Sequence, residues 1–180
     1  MKTLIIFLGV LFMSTQAKPN NGTPLEVVPS VDIQSYMGTW YEIARLPNKF
    51  QKKCAGTRAN YQLRSDGKVS VLNQCQDKND PDNVWEAEGT AYVADSQTNA
   101  KLKVSFVPFF QHWGFFSGDY WIIALDSKYQ YVMVGEPARR YLWILSRSKN
   151  MPESLIEGLL AQAKRQGFNL NELIRTPQWR

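Results

Sequence analysis

The middle of the chain is a series of short segments in which apolar or small residues alternate with polar ones. The segment at residues 57–64 is the clearest, because Ala59 and Tyr61 alternate with Arg58 and Asn60. A period of two is typical of a strand that buries one face. Turns containing glycine, proline or aspartate separate the segments. Eight such strands predict an all-β fold, an up-and-down antiparallel sheet that closes into a barrel and so removes its own edges.

Composition limits the classes of function that remain. A chain of 180 residues that is 44% hydrophobic fits one domain with a real core. The formal charge of +5, or +4 once Lys2 is removed, is too mild to indicate a nucleic-acid partner. Two cysteines and one histidine cannot complete a closed zinc site. We therefore expect neither nucleic acid nor a cofactor.

The N-terminal residues predict a secretory leader rather than part of the fold. Lys2 precedes an apolar run at residues 4–13, which is too short to span a bilayer as a helix. A small-residue cleavage site follows and ends at Ala17. The expected organisation is a signal peptide at residues 1–17, an extended arm at 18–30 and one domain at 31–180.

A cleaved leader predicts that the mature chain is secreted or periplasmic. There is no lipobox cysteine near the cleavage site, which leaves association with an outer membrane open. Two cysteines in such a compartment favour a Cys54–Cys75 disulfide over two free thiols. A ladder extended from the Asp66-Gly67 turn sets the two cysteines about four positions out of register. Cys54 is therefore expected in a bend or an irregular lead-in to its strand.

An amphipathic helix is predicted after the last strand. Pro152 lies near its start and Gly167 at its end. We expect its apolar stripe to pack on the outer wall of the barrel rather than on a membrane, because one strand is apolar on its second face as well. The stripe holds Leu155, Ile156, Leu159, Leu160 and Ala163, and the strand face holds Trp121, Ile123 and Leu125.

Small residues at inward positions predict a cavity. Ala59, Ala87 and Ala91 face aromatic residues on other strands, which favours an open apolar cavity over a core packed with alternating large and small side chains. Asn73 is the one clear amide on this face, and it either binds a ligand's polar head or pairs with nearby hydroxyls. The predicted cavity residues are Ala59, Tyr61, Val71, Asn73, Trp85, Ala87, Ala91, Leu102, Val104, Phe106, Ile122, Met133, Tyr141 and Trp143.

The open mouth of the barrel is expected to be aromatic and basic. Alternate loops of an up-and-down sheet share one end, so the first, third, fifth and seventh connections form the mouth. Aromatic and cationic side chains there suit transient contact with a membrane or capture of an anionic lipid head group. The aromatic side chains are equally suited to fold inward over the cavity. The predicted mouth residues are Phe50, Lys52, Phe109, Phe110, Trp113, Phe115, Arg139 and Arg140.

Three motifs in order resemble the lipocalins, and within them the bacterial lipocalin and apolipoprotein D-like group. They are Gly38-x-Trp40-Tyr41 on the first strand, Asp126-x-x-Tyr129 at a later turn and Arg147 on the eighth strand. The resemblance covers roughly residues 31–175. It implies a calyx with a C-terminal helix and a structural role for Gly38, Trp40 and Arg147 at its closed end. Closure of the sheet would independently bring Arg147 onto the Trp40 ring.

The same resemblance implies a non-enzymatic carrier of a fatty acid or a lysophospholipid-like lipid, suited to membrane lipid storage or maintenance. Burying a 16-carbon chain at about 0.8 kcal/mol per CH₂ gives at most roughly 12 kcal/mol before ordering costs. A carrier of haem, a bilin or an isoprenoid is the alternative, with a lipid-modifying enzyme that uses His112 and a protein-docking role behind it. We expect a monomer or a weak homodimer.

Overall fold

The computed structural model describes residues 22–106 and 116–178, with the backbone alone for residues 116 and 117. Eight antiparallel strands form a closed barrel, since β1 pairs with both β8 and β2. The predicted barrel with a C-terminal helix is confirmed. In chain order the elements are α1 (Ile33–Tyr36), β1 (Gly38–Arg45), β2 (Cys54–Leu63), β3 (Val69–Asp77), β4 (Val84–Val93), β5 (Lys101–Phe106), β6 (Phe116–Leu125), β7 (Tyr131–Gly135), β8 (Leu142–Ser146), α2 (Glu153–Arg165) and β9 (Ile174–Arg175).

The β2–β3 hairpin explains how the disulfide forms. Thr57 lies opposite Cys75, and the register shifts between Cys54 and Thr57. The shift brings the two cysteine Cα atoms to 5.4 Å, and their sulfurs are bonded. The irregular lead-in expected at Cys54 is therefore present.

The side chains inside the barrel form one apolar cluster, called here the interior cluster. Trp40 is fully buried at its centre, and Tyr36 enters it from α1 at the closed end. The closed end is the end that carries α1 and the β6–β7 turn. Buried members of the interior cluster are Val31, Tyr36, Trp40, Ala59, Tyr61, Val69, Val71, Ala91, Ala100, Leu102, Val104, Ile122, Val132, Val134 and Leu145.

A second cluster, called the outer cluster, lies between the barrel wall and α2. The helix contributes Ile156, Leu159 and Ala163, which are buried, so the predicted stripe does pack on the outer wall. Each of these residues would expose apolar surface if the helix left the barrel. The other buried members are Leu25, Ile43, Ala44, Leu46, Ile123, Ala124, Met133, Leu142, Ile144 and Phe168.

For two residues on this wall, the sequence predicted the wrong face of the strand. Met133 lies in the outer cluster opposite Ile144, while its neighbours Val132 and Val134 point inward. Every residue of β7 is apolar or glycine, so its pattern does not mark the inner face. Leu125 packs on the interior cluster, because the β6–β7 register shifts between residues 122 and 124 and reverses the alternation.

The N-terminal arm lies along the barrel from residue 22 onward. Leu25 is buried in the outer cluster, and the Val28 amide donates to the Ile122 carbonyl at 3.0 Å. The Val31 amide donates to the Thr98 carbonyl at 2.8 Å. The predicted leader lies outside the described residues. Within the part that is described, no helix is long and apolar enough to cross a membrane.

Candidate ligand-binding site

The closed end of the barrel is held by one arginine. The Arg147 guanidinium lies 3.8 Å from the centre of the Trp40 ring, and it also donates to main-chain oxygens of residues 35–39. The Trp40 indole donates to the Tyr36 carbonyl at 2.9 Å. Gly38 has a φ of +95°, and a Cβ there would lie 3.3 Å from Arg147 Nη1. The contact expected between Trp40 and Arg147 is therefore present, and it closes this end.

Half of the predicted cavity residues lie where the barrel is filled. They sit near the closed end, next to Trp40 and Tyr36, with at most 9% of their surface exposed. Among them, the small side chain of Ala59 lies directly opposite the large Trp40 ring. We call this region the packed part of the interior; its predicted members are Ala59, Tyr61, Val71, Ala91, Leu102, Val104 and Ile122.

The remaining inward residues lie toward the mouth and are partly or fully exposed. Ala87 shares the inner face with Asn73, its register partner, and is exposed. It belongs to the mouth end of β4, residues 84–88, where all side chains are exposed and where the described pairing is with β3, beyond the last β4–β5 pair at Gly89 and Phe106. Trp85 stands at the rim, 41% exposed, where its indole donates to Asp77 Oδ2 at 3.1 Å. We call this region the open part; it is lined by Asn73, Trp85, Ala87, Phe106, Tyr141 and Trp143.

A polar network that the sequence did not predict also lies in the barrel near the mouth. Glu42 is 2% exposed and lies opposite Leu145, an inward residue. Its carboxylate lies 3.0 Å from Arg45 Nε and accepts hydrogen bonds of 2.6 Å from both Thr176 and Gln51. Burial raises the pKa of Glu42, and these donors offset the effect only in part.

This network lies where two strands separate. β1 pairs with β2 only through Gly38–Tyr41, and farther along it pairs with β9 instead. Gln51 joins the network to β8, since its amide donates to Glu42 and its Oε1 accepts from the Trp143 indole at 3.0 Å. Glu42 follows Trp40 by two residues, so the two side chains point to the same face of β1. This spacing is the feature of the sequence that could have predicted the buried carboxylate.

Aromatic rings lead from the rim of the mouth into the open part. The Phe50 and Tyr141 ring centres are 6.0 Å apart, and those of Tyr141 and Trp143 are 5.9 Å apart. Arg140 lies 5.6 Å from the Tyr141 ring with 71% of its side chain exposed. Lys52 is exposed on the first loop. The rim thus combines apolar rings with hydrated cations.

Arg139 lies on the predicted mouth connection between β7 and β8, but its guanidinium binds main-chain carbonyls of this protein. Its Nε donates to the Gln166 carbonyl at 2.6 Å, its Nη2 to the Thr23 carbonyl at 2.7 Å and its Nη1 to the Pro137 carbonyl at 3.0 Å. The side chain joins the end of α2 to the N-terminal arm, a long-range arrangement that local sequence does not reveal. Phe109, Phe110, Trp113, Phe115 and His112 lie outside the described residues.

Among the residues that the structure describes, no group of three or more histidine, cysteine, aspartate or glutamate side chains could hold a metal ion. Both cysteines are in the disulfide.

Comparison with known proteins agrees with this architecture. Residues 31–178 match the family model described as a lipocalin-like domain. The chain belongs to the lipocalin family. Members of this family bind small hydrophobic ligands and are generally binding or transport proteins.

Relatives of this lipocalin come from plants, bacteria and animals. It is 42% identical to temperature-induced lipocalin-1 of Arabidopsis thaliana over 86% of this chain and 83% of that protein. It is 38% identical to the outer membrane lipoprotein Blc of Escherichia coli K12, over 90% and 88% of the two chains. Apolipoprotein D of Macaca fascicularis is 34% identical over 74% and 69%. Among solved structures, insecticyanin of Manduca sexta shares the fold, with a TM-score of 0.67 at 20% identity over 84% and 83%.

Proposed function

We propose that this lipocalin is a non-enzymatic carrier of a fatty acid or a lysophospholipid-like lipid, with the acyl chain in the open part and the head group at the mouth. The observation that carries the proposal is the exposure of inward-facing side chains above a packed floor. Ala87 is exposed, and Phe106 and Trp143 are partly exposed, on the inner face of the barrel. Apolar surface that faces the inside of a closed barrel is suited to an apolar guest.

The hydrophobic effect is large enough to support such binding. Each buried CH₂ contributes about 0.8 kcal/mol, so a ten-carbon chain gains roughly 8 kcal/mol before the costs of association and ordering. Phe106, Tyr141 and Trp143 supply aromatic surface for these contacts. Few polar contacts are needed, and neighbouring chain lengths would be distinguished weakly.

The rim supports an outward head group. A carboxylate or phosphate loses much free energy when it leaves water unpaired, so it is favoured at the mouth beside Arg140 and Lys52. The same cations and rings suit transient contact with an anionic bilayer during loading. A role in membrane lipid storage or maintenance follows from such an exchange.

We place this carrier in a secreted or periplasmic compartment, after removal of a leader at residues 1–17. The Cys54–Cys75 disulfide supports an oxidising environment. Several relatives are named outer membrane lipoproteins, which supports a bacterial envelope as one setting. Mass spectrometry of the N-terminus of the exported protein would test the cleavage site.

Native mass spectrometry followed by organic extraction tests the ligand directly. We expect a bound mass that extraction identifies as a fatty acid or a lysophospholipid, and uptake of a fluorescent fatty acid by the emptied protein. Ala87→Phe, which fills the open part, should abolish uptake, whereas Ala161→Phe on the exposed face of α2 should not. A coloured protein with a tetrapyrrole spectrum, or an empty barrel that takes up no fatty acid, would contradict the proposal.

A further inference from the structure

Three tyrosine hydroxyl groups meet inside the barrel. Tyr36 Oη lies 2.7 Å from Tyr120 Oη, and Tyr61 Oη lies 3.1 Å from the same atom. Tyr61 belongs to β2 and Tyr120 to β6, which are four strands apart in a ring of eight. Their side chains therefore reach toward each other from opposite walls. Together the three hydroxyls, called here the tyrosine triad, form a polar floor between opposite walls of the barrel.

The triad holds one more proton than its own hydrogen bonds use. Each hydroxyl carries one proton and has two lone pairs. Two bonds, both made to Tyr120, join the three groups and use two of the three protons. These are the bonds that the described residues make to the three oxygens. One donor is therefore left inside the barrel, where Tyr36 and Tyr61 are 3% and 7% exposed. A buried donor without an acceptor costs free energy, which an acceptor on a ligand would recover.

Tyr120 links the triad to the inner face of β6. It lies next to Leu102, its register partner, and is partly exposed, whereas Leu102 and Ile122 on the same face are buried. Thr57 lies toward the mouth on β2, and Tyr61 follows it by four positions. The distance between these two positions is about 13 Å along the strand and roughly 10 Å along the barrel axis. The floor therefore lies within reach of the far end of a medium-length chain.

The electrostatics of the floor favour a neutral guest. Burial, reinforced by the mutual proximity of the hydroxyls, raises the pKa of all three tyrosines well above its usual value. They stay protonated and act as donors. The burial that disfavours a phenolate there also disfavours a carboxylate. An uncharged oxygen is the acceptor that fits.

We propose that the tyrosine triad binds a neutral oxygen at the buried end of the ligand, so that this lipocalin prefers amphiphiles with oxygen at both ends. The anionic head stays at the mouth, and a hydroxyl or ketone at the far end of the chain accepts a hydrogen bond at the floor. This specificity rests on the proposed function, because it requires an acyl chain in the open part.

A matched pair of ligands tests the preference. Dansyl-labelled undecanoic acid would be displaced from the purified protein by ω-hydroxydodecanoic acid or by dodecanoic acid. We expect the hydroxy acid to bind about fivefold more tightly, the effect of one net hydrogen bond. The triple variant Tyr36→Phe/Tyr61→Phe/Tyr120→Phe should reverse the order, since no donor then remains at the floor for the buried ligand hydroxyl. Tyr92→Phe, on an exposed residue, is the matched control and should keep the preference.

Each outcome decides between the two levels of the proposal. If both acids bind the wild-type protein equally, or if the triple variant keeps the preference, the role of the triad is overturned and the carrier function stands. If neither acid displaces the probe, both are overturned. Thermal unfolding would establish that the triple variant folds, and the comparison of the two acids on the wild-type protein tests the preference without it.

Discussion

The packed part and the open part of the interior are built from the same alternating strands but differ in what their small residues face. Ala59 is 8% exposed because it lies beside Trp40, its register partner on β1. Ala87 lies on the same inner face two strands away and is exposed. A small inward residue therefore marks either space or a neighbouring large ring. The exposure of a small inward residue depends on whether a large ring lies beside it.

Removing the central ring should have the largest effect on the packed part. Trp40→Ala is expected to lower the free energy of unfolding by about 3–5 kcal/mol, because it empties a fully buried site. Urea unfolding would measure the loss. Trp85→Ala at the rim is the control, with an expected loss below about 1 kcal/mol. Equal losses at the two positions would contradict the division of the interior.

Removing the cation at the closed end comes next. Arg147→Met should cost about 2–4 kcal/mol, because both the contact with Trp40 and the hydrogen bonds to the main chain are lost. Arg64→Met breaks an exposed ion pair with Asp66 and should cost less than about 0.5 kcal/mol. Chemical denaturation of both variants gives the difference. A small loss for Arg147→Met would mean that the packed part is stable without its closure.

Enlarging one alanine in each part sharpens the comparison further. Ala59→Leu should destabilise the protein by about 1–3 kcal/mol through overpacking and change lipid affinity little. Ala87→Leu should leave stability nearly unchanged and weaken binding roughly tenfold, the equivalent of about 1.4 kcal/mol. Denaturation and displacement titrations measure the two effects. Loss of binding in Ala59→Leu without loss of stability would move the ligand into the packed part.

The smallest effect should come from the buried carboxylate near the mouth. Burial raises the pKa of Glu42 in the folded state above its value in the unfolded chain, so protonation of Glu42 stabilises the fold at low pH. This stabilisation is lost as the pH rises through the folded-state pKa. The stability of the wild-type protein relative to Glu42→Gln should therefore fall as pH increases above about 4.3, the usual pKa of glutamate. Denaturation at a series of pH values measures this difference.

The sequence predicts the architecture well because each strand of the first half has one polar face. Arg58 and Asn60 mark the outside of β2, and the inward position of Tyr61 follows from them. Trp40 and Arg147 lie at opposite ends of the strand series, so closure of the sheet brings them together.

Prediction fails where that contrast is absent or where distant segments meet. β7 is apolar on both faces, and Met133 was therefore placed on the wrong side. The register shift in β6 reversed Leu125. The contacts of Arg139 depend on the end of α2 and the arm, which are far apart in sequence. The extent of the packed part also depends on a contact that the strand pattern does not contain. Tyr36, which packs at the closed end, belongs to α1 and not to a strand.

The division of one edge of β1 between β2 and β9 has a consequence for the order of folding. β9 is Ile174–Arg175, and Thr176 beside it donates to the buried Glu42 carboxylate across a sequence separation of 134. Hairpins between consecutive strands need only local contacts, whereas this stretch of β1 gains its second partner through a contact that closes a very long loop. The edge of the barrel wall beside Glu42 is therefore expected to form late in folding.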